Sequence, residues 1–353
     1  LHYPLRRQRQ MCIRDRAWTA KRIKDAEKYY QATPEEFYTW SGLPIVTPQV
    51  LGQWMLAMDT LMGNHTTGKL LHLHEHMSGS SRLSLGAYHF HLRVGFPLDY
   101  RYGWDIGSVD HQILVDKVHH RYGIHVKFYS PRCSPWSRAN RTSKAEVKEM
   151  ARLEERPGLL WITSNCLQVL DSSDQGFIFE TPVGSEIISH SPFKRVYSDT
   201  RTVTNTTDQC QHGAEDPEPT GLPTKKSTLL ITGNIKLGGH TLVRCMGSDA
   251  CPVHAQLCGN LAGTSIAKTA FAAVYPWDMV LCLCFDVQTF VAGTPGCHKQ
   301  LFSTLWSCTR CKHGMKKGDI TTPPHTFAPG CRYDRTGVPP GGVIVAVPDA
   351  TPG

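Results

Sequence analysis

With 353 residues, 40% of them hydrophobic and 19% charged, the chain is long enough for one large domain or two ordinary ones and reads as globular rather than disordered. The longest apolar runs, such as Val280 to Phe285, fall far short of the roughly 20 residues that span a bilayer, and no segment has the pattern of a cleaved secretory leader. The thirteen cysteines, nine of them after Cys210, then argue for free thiols or a metal in an intracellular protein, nuclear if the host is a eukaryote, rather than for a disulfide framework.

The formal charge of +8 is weighted towards the start of the chain. Met11-Cys12-Ile13-Arg14-Asp15-Arg16 is what ATG-TGT-ATA-AGA-GAC-AG encodes, the transposase end used in sequencing libraries. Residues 1–16 are therefore expected to be adaptor read-through or a disordered lead. They carry five arginines against one aspartate, half of the whole excess. The mild basicity that remains permits nucleic-acid binding without demanding it.

Residues 17–33 and 47–62 read as N-terminal helices. In the second, Thr47-Pro48 offers a cap and a first-turn proline, Leu51, Trp54, Met58 and Leu61 keep helical spacing, and Gly63 is a natural stop. A domain over 63–280 follows. Its predicted elements are a strand at Leu70–Glu75, a helix at Ser81–Val94, a strand at Phe96–Asp99, a helix at Val109–Tyr122 stopped by Gly123, and a strand at Ile124–Tyr129. The capping box Ser143-Lys144-Ala145-Glu146 opens a helix that Pro157-Gly158 should end or interrupt; its charge run, Lys144–Arg156, mixes signs as a solvated face does. Gly176–Glu180 and Thr228–Thr232 are further β-rich runs. Strands alternating with helices predict an α/β fold, a mostly parallel sheet covered on both faces, with ligands at the carboxyl ends of the strands. Residues 281–335 form a Cys/His-rich region and 336–353 a Pro/Gly-rich tail.

Chemistry concentrates where predicted strands end. Ser130-Pro131-Arg132-Cys133-Ser134-Pro135-Trp136-Ser137 places a cysteine on a turn after a strand, positioned to attack something lying over the sheet; the alternative is an inert loop thiol. Phe179-Glu180-Thr181-Pro182 brings an acid to another strand end, and Gly221-Leu222-Pro223-Thr224-Lys225-Lys226 leads into a later strand that closes on Gly233. Upstream, Met77-Ser78-Gly79-Ser80-Ser81 is a small-residue turn that lets a ligand approach the backbone, and Asp99 and Asp105 follow the next strand.

In order and spacing these pieces resemble the DNA (cytosine-5) methyltransferases, and more closely the methyltransferase-like segments of retroelement-type open reading frames, across roughly residues 70–280. The latter carry Ser-Pro-x-Cys-x-Pro-Trp-Ser-x-x-Asn, here Ser130 to Asn140, and Asp-Gln-Cys, here Asp208-Gln209-Cys210. The resemblance implies a Rossmann-like S-adenosylmethionine-dependent sheet. Ser78, Gly79, Ser80, Asp99 and Asp105 would hold the cofactor, Cys133 would be the nucleophile, and Glu180 the acid. Lys226 stands where the family has an arginine. The chain departs from the family with Arg132 before the nucleophile in place of Pro, and with Thr181-Pro182 after Glu180 in place of Asn-Val.

Two further constellations suggest metal. His72, His74 and His76 would share one face of a strand, with His89 and His91 repeating the spacing and Glu75 opposite, which reads either as a metalloenzyme site or as partly exposed histidines. Cys308 and Cys311, with Cys297 and Cys331, have the makings of a zinc knuckle beside Lys312, Lys316 and Lys317, the other reading being free thiols. Two functions follow as expectations. One is a cytosine-C5 methyltransferase acting on DNA; the other is a retroelement-derived domain that binds DNA or another nucleic acid without catalysis. No membrane partner is expected.

Overall fold

Every residue of Leu71–His76 and of Ile124–Tyr129 is buried, so neither strand has a polar outer face, and both must be covered on two sides. The computed structural model describes residues 71–90, 92–95, 97–99, 104–137, 144–190, 192–218, 220–247, 253–263 and 268–294, with short backbone pairs at 306–307 and 314–315. Residues 1–16, the expected helices at 17–33 and 47–62, Ser143 of the capping box, the cysteines 297, 308, 311 and 331, and the tail lie outside the described residues.

The domain is α/β. In chain order come β1 (Leu71–His76), α1 (Arg82–His89), α2 (Val109–Tyr122), β2 (Ile124–Tyr129), α3 (Ala145–Leu170), β3 (Gly176–Pro182), α4 (Lys194–Tyr197), β4 (Thr202–Asp208), β5 (Ser227–Gly233), α5 (Lys268–Phe271) and α6 (Trp277–Gly293). The five strands form one sheet in the order β1-β2-β3-β5-β4. β1, β2 and β3 are parallel, whereas β5 runs antiparallel to both β3 and β4. The sheet is therefore mixed, not mostly parallel as the alternation of elements suggested. β4 escaped the sequence because Thr202–Asp208 has no apolar run; it is an edge strand whose first half is largely exposed.

Two apolar layers sandwich this sheet. On one face Tyr129, Phe177, Phe179 and Ile231 pack against α2, α3 and α4 through Val115, Ile162, Val169 and Val196. On the other, Leu73, Val126, Phe128, Ile178 and Leu230 pack against Leu83 of α1 and Met279, Val280 and Leu283 of α6.

Two helix boundaries differ from expectation. α1 stops at His89, and the chain doubles back so that Val94 and Leu98 form single parallel bridges with Leu73 and His76 on the outer edge of β1. Of the expected strand at 96–99, the described part, 97–99, holds the one bridge from Leu98 to His76. α3 runs through Pro157 without ending. An interior proline costs about 3 kcal/mol, but the turns after it bury Leu159, Trp161, Ile162, Cys166 and Val169 against the sheet, and that packing offsets the lost bond. Gly158 suits the same spot: a Cβ there would come within 3.4 Å of Met77 Cε and 3.5 Å of the Ile106 carbonyl.

Among the described residues no helix is long and apolar enough to cross a membrane.

Candidate active site

Parallel β1, β2 and β3 end at the same edge of the sheet, which brings the three sequence-predicted turns together. The turn after β1 carries left-handed backbone at Met77, Gly79 and Ser81, with φ of 58°, 56° and 57°. For Met77 and Ser81 this conformation costs on the order of 1 kcal/mol each, a kind of strain that gathers where a chain cradles a ligand. A Cβ at Gly79 would meet nothing within 4 Å, so that side of the turn is open. Gly79 N–H donates to Asp99 Oδ2 at 2.9 Å, and Ser78 N–H to the Leu98 carbonyl at 3.0 Å, which ties the turn to the returning segment. Asp105 accepts from Gly107 N–H at 2.8 Å. It lies close enough to Glu155 of α3 to raise that carboxyl: burial, opposed by Arg132 and reinforced by Asp105, brings Glu155 to about 7.

Cys133 follows β2 on a turn closed by Trp136 N–H donating to its carbonyl at 3.0 Å. Trp136 is 1% exposed, with the Arg152 guanidinium 5.3 Å above its ring and His190 edge-on at 4.6 Å. The tryptophan of the Ser-Pro-Trp-Ser run is thus the anchor that fixes the cysteine turn. Replacing Trp136 with Ala should cost about 3–5 kcal/mol. It should also speed alkylation of Cys133 as the turn loosens; urea unfolding and peptide mass analysis read the two effects.

Glu180 of β3 and Lys226, just before β5, flank Cys133. Burial pushes the Cys133 thiol above its ordinary value; Lys226 pulls it back, and Glu180 pushes it further up. Glu180 is 4% exposed. Its Oε2 accepts from Ser130 Oγ at 2.9 Å, and the single proton of the Tyr275 hydroxyl is shared between Glu180 Oε2 at 3.1 Å and Ser130 Oγ at 2.8 Å. Its Oε1 lies 3.7 Å from Lys226 Nζ and has no hydrogen-bond partner. Cys133, Glu180 and Lys226 therefore meet at one strand edge, and Ser78, Gly79, Ser80, Asp99 and Asp105 gather at the neighbouring one.

Sequence reasoning missed part of this constellation. Tyr275 reaches Glu180 from the segment ahead of α6, held there by Arg82 Nη1 donating to its carbonyl at 3.0 Å while the guanidinium lies 4.9 Å over the Trp277 ring. The signal was Tyr275-Pro276-Trp277 opening an apolar helix. Ser130 stood inside a quoted motif without a role. Glu75 was noted only as facing away from the histidines; it does, and its buried Oε1 is also unpartnered.

The histidines of β1 are buried rather than partly exposed: His72, His74 and His76 are 0%, 1% and 0% accessible. Two groups of side chains among the described residues could hold a metal ion, His74 with His76 and His119, and Cys210 with Cys245 and His254. In the second, Cys245 Sγ lies 3.4 Å from His254 Nε2. Buried Asp208 sets its position: Oδ2 accepts from Cys245 N–H at 2.8 Å and from Arg244 Nε at 3.0 Å, while Oδ1 accepts from Ser227. Burial alone would raise the Asp208 carboxyl, yet these bonds outweigh it and hold it below the usual carboxylate range.

No protein-family model matches the chain, and no curated protein matches it either.

Proposed function

We propose that this chain is a diverged S-adenosylmethionine-dependent methyltransferase of the DNA cytosine-C5 type. The observation that carries the reading is the meeting of Cys133, Glu180 and Lys226 beside an open small-residue turn, with Glu180 Oε1 buried, 3.7 Å from Lys226 Nζ and without a hydrogen-bond partner.

The residues present suit the cofactor. The turn at Ser78, Gly79 and Ser80 presents backbone to open space, Asp99 stands at its side to accept from ribose hydroxyls, and Asp105 lies beyond for the adenine end. When bound, the cofactor supplies an electrophilic methyl group. The chain's own part is to make cytosine C5 a nucleophile, on a base turned out of its stack because C5 is unreachable within it. The Cys133 thiol passes its proton to solvent and its sulfur adds to C6, breaking the C5–C6 double bond. Glu180, taking up a proton from solvent, donates it to N3 through the oxygen that has no hydrogen-bond partner, and Lys226 beside that oxygen offsets the remaining charge. Once C5 is methylated, a solvent base takes the C5 proton, the C5–C6 double bond re-forms as the Cys133 sulfur leaves, and the N3 proton returns through Glu180.

A second reading keeps the sheet without catalysis, as a retroelement-derived domain that binds nucleic acid, with zinc at Cys210, Cys245 and His254 in the manner of a small nucleic-acid-binding module. Arg132 in place of the family's proline, and a thiol held above its ordinary value, favour it.

Calorimetric titration of the chain with S-adenosylhomocysteine separates the two. Saturable binding that Asp99→Ala weakens at least about tenfold, or roughly 1.4 kcal/mol, is the result expected of the methyltransferase. A folded chain with no heat of binding would leave the non-catalytic reading standing.

A further inference from the structure

The three nitrogens that meet behind β1 have too few protons for the contacts they make. His74 Nδ1 lies 3.1 Å from His119 Nε2, and His76 Nε2 lies 3.2 Å from the same atom. On its other side His76 Nδ1 is 3.1 Å from the Phe128 carbonyl, which can only accept, so the His76 proton sits on Nδ1 and its Nε2 carries a lone pair. Between His119 Nε2 and its two neighbours there is then room for one proton. If His119 carries it, two lone pairs share it; if His74 carries it, the His76 and His119 lone pairs face each other unrelieved. His119 Nδ1 has no partner, so a lone pair on Nε2 puts the ring's proton on Nδ1 as a buried donor without an acceptor, a cost that both the His74-donor arrangement and metal ligation through Nε2 must carry.

A cation satisfies all three nitrogens at once. Zinc–imidazole bonds of about 2.0–2.1 Å in a tetrahedron separate the ligand nitrogens by about 3.3 Å, close to the two contacts seen. The bond from His76 Nδ1 to the Phe128 carbonyl is the outer contact that ligating histidines usually make, one that fixes tautomer and ring together. His76 is further held between the stacked Tyr129 ring at 4.7 Å and Trp161 at 5.7 Å. His72, the third of the alternation, takes no part: Arg93 Nη2 meets its Nε2 at 2.9 Å.

We propose that His74, His76 and His119 form a site for a divalent transition-metal ion of the zinc class, with a fourth position left to water. It lies on the face of β1 opposite Glu75, away from the methyltransferase-like residues, and so stands or falls independently of them. Lys127 opposes a dication here. Its ammonium donates to Asn165 at 2.6 Å and faces the same rings, with the Asp116 carboxyl within electrostatic reach. The site is therefore tuned below the affinity of an unopposed three-histidine set.

The test is a Co(II) titration of the chelator-stripped chain beside His119→Ala and His120→Ala, His120 being the exposed neighbour on α2. His119→Ala should lose one equivalent of uptake whose spectrum has no thiolate-to-cobalt charge-transfer band, and His120→Ala should lose none. Metal at Cys210 and Cys245 would appear separately, with that band and sensitive to Cys245→Ser. Lys127→Met should tighten the histidine site. Equal uptake by the two histidine variants overturns the proposal. Should His119→Ala fail to fold, the unaltered chain decides: an equivalent without the thiolate band supports the site, and its absence overturns it.

Discussion

A chain carrying Cys133→Ala is expected to bind S-adenosylhomocysteine as the unaltered chain does and to lose methyl transfer to cytosine by at least about ten-thousand-fold, the scale on which loss of a covalent nucleophile is felt. The two readouts separate because the cofactor turn and the cysteine turn follow different strands: Ser78 to Ser80 come after β1 and Cys133 after β2. Loss of cofactor binding as well would mean that Cys133 acts through packing. The pH dependence of alkylation adds an independent check, read at the Cys133 peptide by mass spectrometry. Burial is the largest cause of the raised thiol, so alkylation should gain speed only as pH rises past the ordinary thiol value. Glu180→Gln removes a repelling charge and should move that profile to lower pH, and Lys226→Met should move it higher. A profile that ignores both substitutions would sever the cysteine from the other two residues, and with it the case for catalysis.

How much of this was legible beforehand depends on the kind of signal. Ile124–Tyr129 and Val109–Tyr122 matched expectation to the residue, because one sets Ile124, Val126 and Phe128 at strand spacing and the other is punctuated by Gly123. The convergence of Cys133, Glu180 and Lys226 was readable only through the order of motifs, since residues some fifty positions apart meet solely because β2 and β3 pair in register. Tyr275 could not be found that way: its partner Glu180 lies ninety-five positions earlier, and only the path into α6 joins them. The antiparallel placement of β5 was equally hidden, because strand direction is set by connections and not by apolar periodicity. Pro157 misled for a plain reason. A helix breaker has a local cost, and the compensating burial of Leu159 to Leu170 is tertiary. His119 was missed because a histidine on a helix carries no pattern by itself; the alternating histidines of β1 were visible, but the ring that completes them was not.

Glu75 yields the second large effect. Its side chain faces the layer beneath α1 and α6, where Oε2 accepts from Ser84 N–H at 2.8 Å and from Ser84 Oγ at 2.6 Å while Oε1 is left without a partner. Burial raises the carboxyl to about 8 from 4.5; the two bonds from Ser84 pull it down without compensating, and nearby Asp99 pushes it further up. The native state therefore keeps a proton that the unfolded chain gives up. Below the unfolded value both states hold it and nothing is lost. As pH rises towards 8 the unfolded state ionises alone, and stability falls by about 1.4 kcal/mol per pH unit, approaching about 5 kcal/mol in all before it levels off. Glu75→Gln keeps an acceptor for Ser84 and cannot ionise, so its urea-unfolding free energy should exceed that of the unaltered chain by a margin that grows between about pH 5 and pH 9. The comparison isolates Glu75, because Glu155 contributes a slope of the same sign to both chains and cancels. Parallel stability curves would show that Glu75 is ionised in the fold. A growing margin would show that β1 delivers a neutral acid beside Asp99 and the open turn at Gly79, able to donate a hydrogen bond where an ionised carboxylate could only accept one.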